Sequence, residues 1–91
     1  MHTEDRIQNT ELKIIEVLYR HWKDEDKNEG FDAASHKVTD ILSEANLSEN
    51  NAMPSIRNLR DFDFVELKDS TIKLLPSGIK YGKGQFDGQP Q

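Results

Sequence analysis

At Phe64 the apolar residues of this chain change their spacing. Phe64-Val-Glu-Leu-Lys68 and Thr71-Ile-Lys-Leu-Leu75 alternate with a period of two around Asp69-Ser70, so Val65, Leu67, Ile72 and Leu74 form the inward sets of a β-hairpin. Everything upstream follows a helical period instead. A helical stretch followed by a ribbon folded back on itself is an α+β arrangement, in which the ribbon has to bury its apolar face against the helices. The expected two-residue turn is Asp-Ser and not the preferred Asp-Gly.

Three helices are expected before the hairpin. Asn9 or Thr10 can cap the first, from about Glu11 to Trp22 or Lys23, with Leu12, Ile15, Leu18, Tyr19 and Trp22 as its core face. Ile14, Val17 and His21 widen that face to roughly 220°, about twice the arc one packed face needs, so they are expected to meet a partner surface. Asp32 or Ser35 can cap a second helix that ends near Ala45 and turns Val38, Ile41, Leu42 and Ala45 inward. Asn46-Leu47 makes the turn. Ser48 to Asn51 open a third helix with Ile56 and Leu59 as its buried pair, and Pro54 falls in the first turn if Asn51 is the cap. After Pro76-Ser77-Gly78, Ile79 and Tyr81 pin a last turn. The expected organisation is a flexible N-terminus over 1–9, one domain over 10–81 and a flexible tail over 82–91.

Length and composition narrow the function classes. Ninety-one residues suffice for one core. With no cysteine, disulfide scaffolds, thiolate metal sites and cysteine nucleophiles are excluded. No apolar run approaches a membrane span or a signal-peptide core, so a cytoplasmic protein without membrane contact is expected, and the Asn46-Leu47-Ser48 sequon has no route to glycosylation. The net charge of −5 is unevenly placed: residues 1–47 hold six Lys/Arg and eleven Asp/Glu, whereas residues 48–91 hold six of each. A nucleic-acid binder usually carries a basic footprint, and the whole chain has none.

Chemistry beyond binding finds no support. Asp24, Asp26 and Asn28 fit the first ligand positions of a calcium loop, but Glu29 stands where glycine is needed and Ser35 where a bidentate glutamate is needed, so a solvated linker is the expected state. His2, His21 and His36 form no metal or triad spacing. Gly78, Gly82 and Gly84 do not match a phosphate-cradling loop. Neither an enzyme, a metal nor a cofactor is expected.

Helix, helix, turn, helix and hairpin is the order of a winged helix-turn-helix domain, and the residues from about Val38 to Tyr81 resemble that superfamily. Val38-Thr-Asp-Ile-Leu-Ser-Glu-Ala-Asn-Leu-Ser48 looks like the first helix and turn of the motif, and Ile56-Arg-Asn-Leu-Arg60 like the end of a recognition helix. Phe64-Val-Glu-Leu and Leu74-Leu-Pro-Ser-Gly-Ile-Lys-Tyr81 resemble the wing strands and the closing segment of small bacterial and archaeal regulators. Three positions depart from the pattern: Asp63 in place of a glycine, Leu75 in place of a threonine, and the acidic Asp69-Ser70 tip in place of a basic wing loop.

Two functions follow. In the first, the chain is a transcriptional regulator that binds double-stranded DNA as a homodimer. Ser48, Asn50, Asn51, Ser55, Arg57 and Asn58 of the third helix then face the duplex, since Asn pairs with adenine and Arg with guanine or phosphate. Lys68, Lys73 and Lys80 would take phosphates, and Ile14, Val17 and His21 would form the dimer surface. The same residue types also describe an ordinary solvated helix and lysine-blunted strand edges. In the second, the acidic balance and acidic tip mark a winged-helix module that binds a protein partner and no DNA.

Overall fold

The computed structural model describes residues 9–26 and 33–86. Helix α1, Asn9–His21, continues into a π-helical turn over Trp22–Asp26. Strand β1, Ser35–Lys37, leads into α2, Val38–Ala45, and α3, Glu49–Asp61. Strands β2, Val65–Lys68, and β3, Thr71–Leu74, form the hairpin, and α4, Pro76–Phe86, closes the fold. The described residues form an α+β domain of four α-helices and one antiparallel sheet of strand order β1-β3-β2. No helix among the described residues is long and apolar enough to cross a membrane.

Two tight reversals set the path of α3. Asn46 adopts a left-handed conformation at φ 61°, and the Leu47 N–H donates to the Leu42 carbonyl at 2.9 Å while the Asn46 N–H donates to Ser43 at 3.1 Å. This paired bonding satisfies carbonyls that the end of α2 would otherwise leave open. The same device ends α3. Asp63 sits at φ 64°, the Phe64 N–H donates to Leu59 at 3.0 Å, and the Asp63 N–H donates to Arg60 at 2.9 Å. Asp63 thus fills, with an acidic side chain, a position whose backbone favours glycine.

The core holds Ile14, Ile15 and Leu18 of α1, Ile41 and Leu42 of α2, Ile56 and Leu59 of α3, Val65, Ile72 and Leu74 of the hairpin, and Ile79 of α4. The expected inward sets of α2 and α3 are buried, as are Val65, Ile72 and Leu74, while Leu67 is half-buried.

Four expectations are corrected. First, α1 has no surplus face. Ile14 is fully buried and Val17 is 8% exposed, because α2, α3, α4 and β3 of the same chain all pack on α1, while Leu12 is only half-buried. His21 is also used internally: its Nε2 lies 2.9 Å from Glu44 Oε2 on α2, and its ring lies tilted against that of His36 of β1, with centroids 4.5 Å apart. Ile14, Val17 and His21 therefore do not form a dimer surface. Second, Ser35–Lys37 is a strand and not the capped start of a helix; Ser35, His36 and Lys37 pair with Lys73, Ile72 and Thr71. Third, α3 begins at Glu49 after an extended Ser48, which puts Pro54 inside the helix, beyond its first turn. Fourth, the chain stays helical to Phe86, past the expected end at Tyr81. Of the charged run 24–32, the start lies in the π turn and residues 27–32 lie outside the described residues, as do 1–8 and 87–91.

Candidate nucleic-acid interface

Helix α3 is held by one face and exposes the other. Ala52, Ser55, Ile56 and Leu59 are buried, whereas Asn50, Asn51, Pro54, Arg57 and Asn58 are exposed. That division follows the helical period, which puts the second group between about 100° and 220° from Ile56. Its rigid seat comes from α1 and β2, both packed on it.

The expected contact residues separate into three groups. Asn50, Asn51 and Arg57 are exposed, and Arg57 enters no ion pair among the described residues. Ser55 is only 7% exposed and turns into the core, so it is no contact residue. Asn58 is exposed as a residue, yet its amide is engaged: Nδ2 donates to Oε2 of Glu11 at 3.0 Å. Glu11 is fully buried in the first turn of α1, so this bond ties the two helices together. Asn58 positions α3 more than it offers an amide to a ligand.

Ser48 is the extended residue before α3, and its hydroxyl makes no capping bond. It borders an open groove of about 510 Å³ along α2 and the turn, with Thr39, Leu42, Leu47 and Glu49 among the lining residues. Glu49 places a carboxylate at the entrance to α3, which opposes anion binding at that helix end. Farther along, Arg60 lies 3.7 Å from Asp61, so the last turn is locally neutral.

The lysines do not form one group. Lys68 and Lys73 lie on the same outward face of the sheet, with Lys73 paired opposite Glu66 in the register. Lys68 is exposed and Lys73 half-buried. Lys80 is exposed on α4, outside the sheet register. Sequence reasoning missed Lys37, the last residue of β1, which lies in register with Thr71, itself opposite Lys68. No spacing signal marked it, because a three-residue strand is too short to show alternation.

Comparison with family models, curated proteins and solved structures finds no match. The functional reading therefore rests on the chain's own geometry.

Proposed function

We propose that this chain is a winged-helix domain that binds duplex DNA through α3, with regulation of transcription as its role. The reading is carried by the exposed Asn50, Asn51 and Arg57 on a helix whose opposite face is fixed in the core. These side chains suit adenine and guanine edges in a major groove; Asn50 and Asn51 stand in the first turn of α3, where a recognition helix makes base contacts, and Arg57 stands about two turns farther along. The element order, with β1 between α1 and α2 and the sheet arranged β1-β3-β2, supports the winged-helix assignment. Asp61 lies on the same exposed face, one turn beyond Arg57 and next to Arg60, so a carboxylate stands beside the arginine offered to bases and weighs against the reading.

A fluorescence titration against a duplex selected from a random pool, and against its scrambled counterpart, tests the reading. Arg57→Ala is expected to cost about 1–3 kcal/mol for the selected duplex and much less for the scrambled one, as removal of a base contact does. Equal losses on both, or no preference in the unaltered protein, would reject α3 as the reading element.

The second reading, a protein-binding module without DNA affinity, keeps support from the net charge of −5 and the Asp69 tip. Burial of Ile14 and Val17 removes the first-helix surface on which it partly depended, and with it the basis for a homodimer through α1. A mobility shift that fails at low salt for every duplex would favour this reading over the first.

A further inference from the structure

The hairpin leaves one backbone edge open at Leu67. In an antiparallel pair, opposite residues alternate between those that exchange backbone hydrogen bonds and those whose bonding groups point away. Two bonds fix the phase. The Leu75 N–H donates to the Phe64 carbonyl and the Val38 N–H to the Ser70 carbonyl, each at 2.9 Å. The bonded pairs of β2 and β3 are therefore Glu66 with Lys73 and Lys68 with Thr71. Val65 and Leu67 direct their N–H and C=O groups away from β3, toward the outer side of an edge strand. Among the described residues, no segment bonds to them there. Val65 is 1% exposed, so packing closes the edge at that point. Leu67 lies farther out along the hairpin, half-buried between the exposed Glu66 and Lys68.

An open strand edge is a template for another strand. The sequence around Leu67 is its own complement. Antiparallel pairing about Leu67 sets that residue opposite Leu67 of a second copy, Glu66 opposite Lys68, and Lys68 opposite Glu66. The leucine pair exchanges two backbone hydrogen bonds. The two Glu–Lys pairs fall at the non-bonded positions, where opposed side chains approach most closely. Neither Glu66 nor Lys68 enters an ion pair among the described residues, so both are available to a second chain. The alternative register, Val65 opposite Leu67, needs the closed edge at Val65 and sets Glu66 against Glu66.

We infer that β2 is a self-association edge, through which two copies of this chain join their sheets into one of order β1-β3-β2-β2-β3-β1. Both copies use the same surface, and the contact occupies both β2 edges, so pairing there stops at two chains. Charge selects the occupant. A strand that fits this edge needs a base and an acid in reverse order around an apolar residue, and the antiparallel chain supplies that order itself. The contact is small, which puts it in the weak, transient class. It is independent of the reading of α3 and stands apart from α1, whose Ile14 and Val17 are buried.

Sedimentation equilibrium and residue-resolved amide exchange test it, on the full chain without DNA, over a dilution series that reaches NMR concentrations. A monomer–dimer equilibrium is expected, with exchange at the Leu67 amide slowed in step with the dimer fraction. Lys68→Glu is expected to weaken dimerisation by about tenfold, since two like-charge pairs replace two opposite ones. Glu66→Lys is expected to do the same. An equimolar mixture of the two variants is expected to recover the affinity as mixed dimers, because both cross-chain pairs are again oppositely charged; a folding defect would not be rescued by mixing. A chain that stays monomeric throughout overturns the inference, as does a dimer in which Leu67 exchange ignores concentration. Equal affinity of the Lys68→Glu and unaltered chains, or concentration-dependent protection at Ser35 and Lys37 of β1 in place of Leu67, assigns the contact elsewhere and overturns it too. Arg57→Ala is expected to leave dimerisation unchanged, so failure of the α3 reading and failure of this one are seen in different variants.

Discussion

Asn58 and Glu11 meet across 47 positions of the chain, and their hydrogen bond changes what Asn58 does. Periodicity places Asn58 on the exposed side of α3, and it is exposed. What periodicity cannot supply is the partner, since the first turn of α1 comes alongside only after the core has closed. Asn58→Ala removes a donor from a buried carboxylate, and the expected loss is about 1–3 kcal/mol in a urea melt. Glu11→Gln keeps an acceptor oxygen for the same amide and is expected to lose less. Asp63 is a second position where one residue carries a cost. Its φ of 64° is unfavourable for any side chain, and Asp tolerates it better than most. Asp63→Gly is expected to raise stability by about 0.5–1 kcal/mol, the strain relief being partly offset by glycine's larger entropy loss. An unchanged or lower urea midpoint would show that the Asp63 side chain contributes as much as its backbone costs. Only the resemblance marked this position, as one where a glycine is replaced by Asp63.

At the scale of elements, α4 shows why a glycine-containing segment can be helical against its propensity. Gly78, Gly82 and Gly84 each lower helix propensity by about 1 kcal/mol relative to alanine, yet the segment expected to be a tail from residue 82 stays helical to Phe86. Two of the three glycines instead allow close packing. A Cβ on Gly78 would meet the Phe64 carbonyl and come within 2.7 Å of Leu74 Cδ1, and one on Gly82 would lie 2.7 Å from Tyr19 Cδ1. Nothing lies within 4 Å of the corresponding point on Gly84. Gly82→Ala is therefore expected to lower the thermal midpoint by an amount equivalent to about 1–3 kcal/mol, since the buried Tyr19 ring has to move. Gly84→Ala is expected to be neutral or to stabilise by up to about 1 kcal/mol. Equal effects of the two substitutions would mean that α4 does not pack on α1 as described. Strand β1 escaped notice for a related reason. Ser35-His-Lys37 has no apolar alternation of its own and becomes a strand only by pairing with β3, far along the chain.

Across the whole molecule, one core joins all four helices to the sheet, so a defect at its centre is expected to be felt everywhere. Ile72 is fully buried on the middle strand of the sheet. Ile72→Ala is expected to cost about 2–5 kcal/mol, a large share of the roughly 5–15 kcal/mol available to a native domain. Calorimetry is expected to show one lowered transition, and an unmoved midpoint would mean that the core lies elsewhere. The charge distribution belongs to this scale as well. A total of −5 conceals a face on which three lysines stand with one carboxylate, because strands distant in sequence bring their outward residues together. By itself the sequence determined the α+β class, the hairpin, the buried sets of α2 and α3, and the exposed side of α3. Those features depend on local period and on turn chemistry, which act over a few residues. The tertiary structure alone decided that the broad apolar arc of α1 is covered from within, that Ser55 is buried, that Asn58 is engaged, and that Lys37 joins Lys68 and Lys73. Each of these depends on contacts between segments far apart in the chain, whose closeness is created by the burial of the common core and leaves no mark on local spacing.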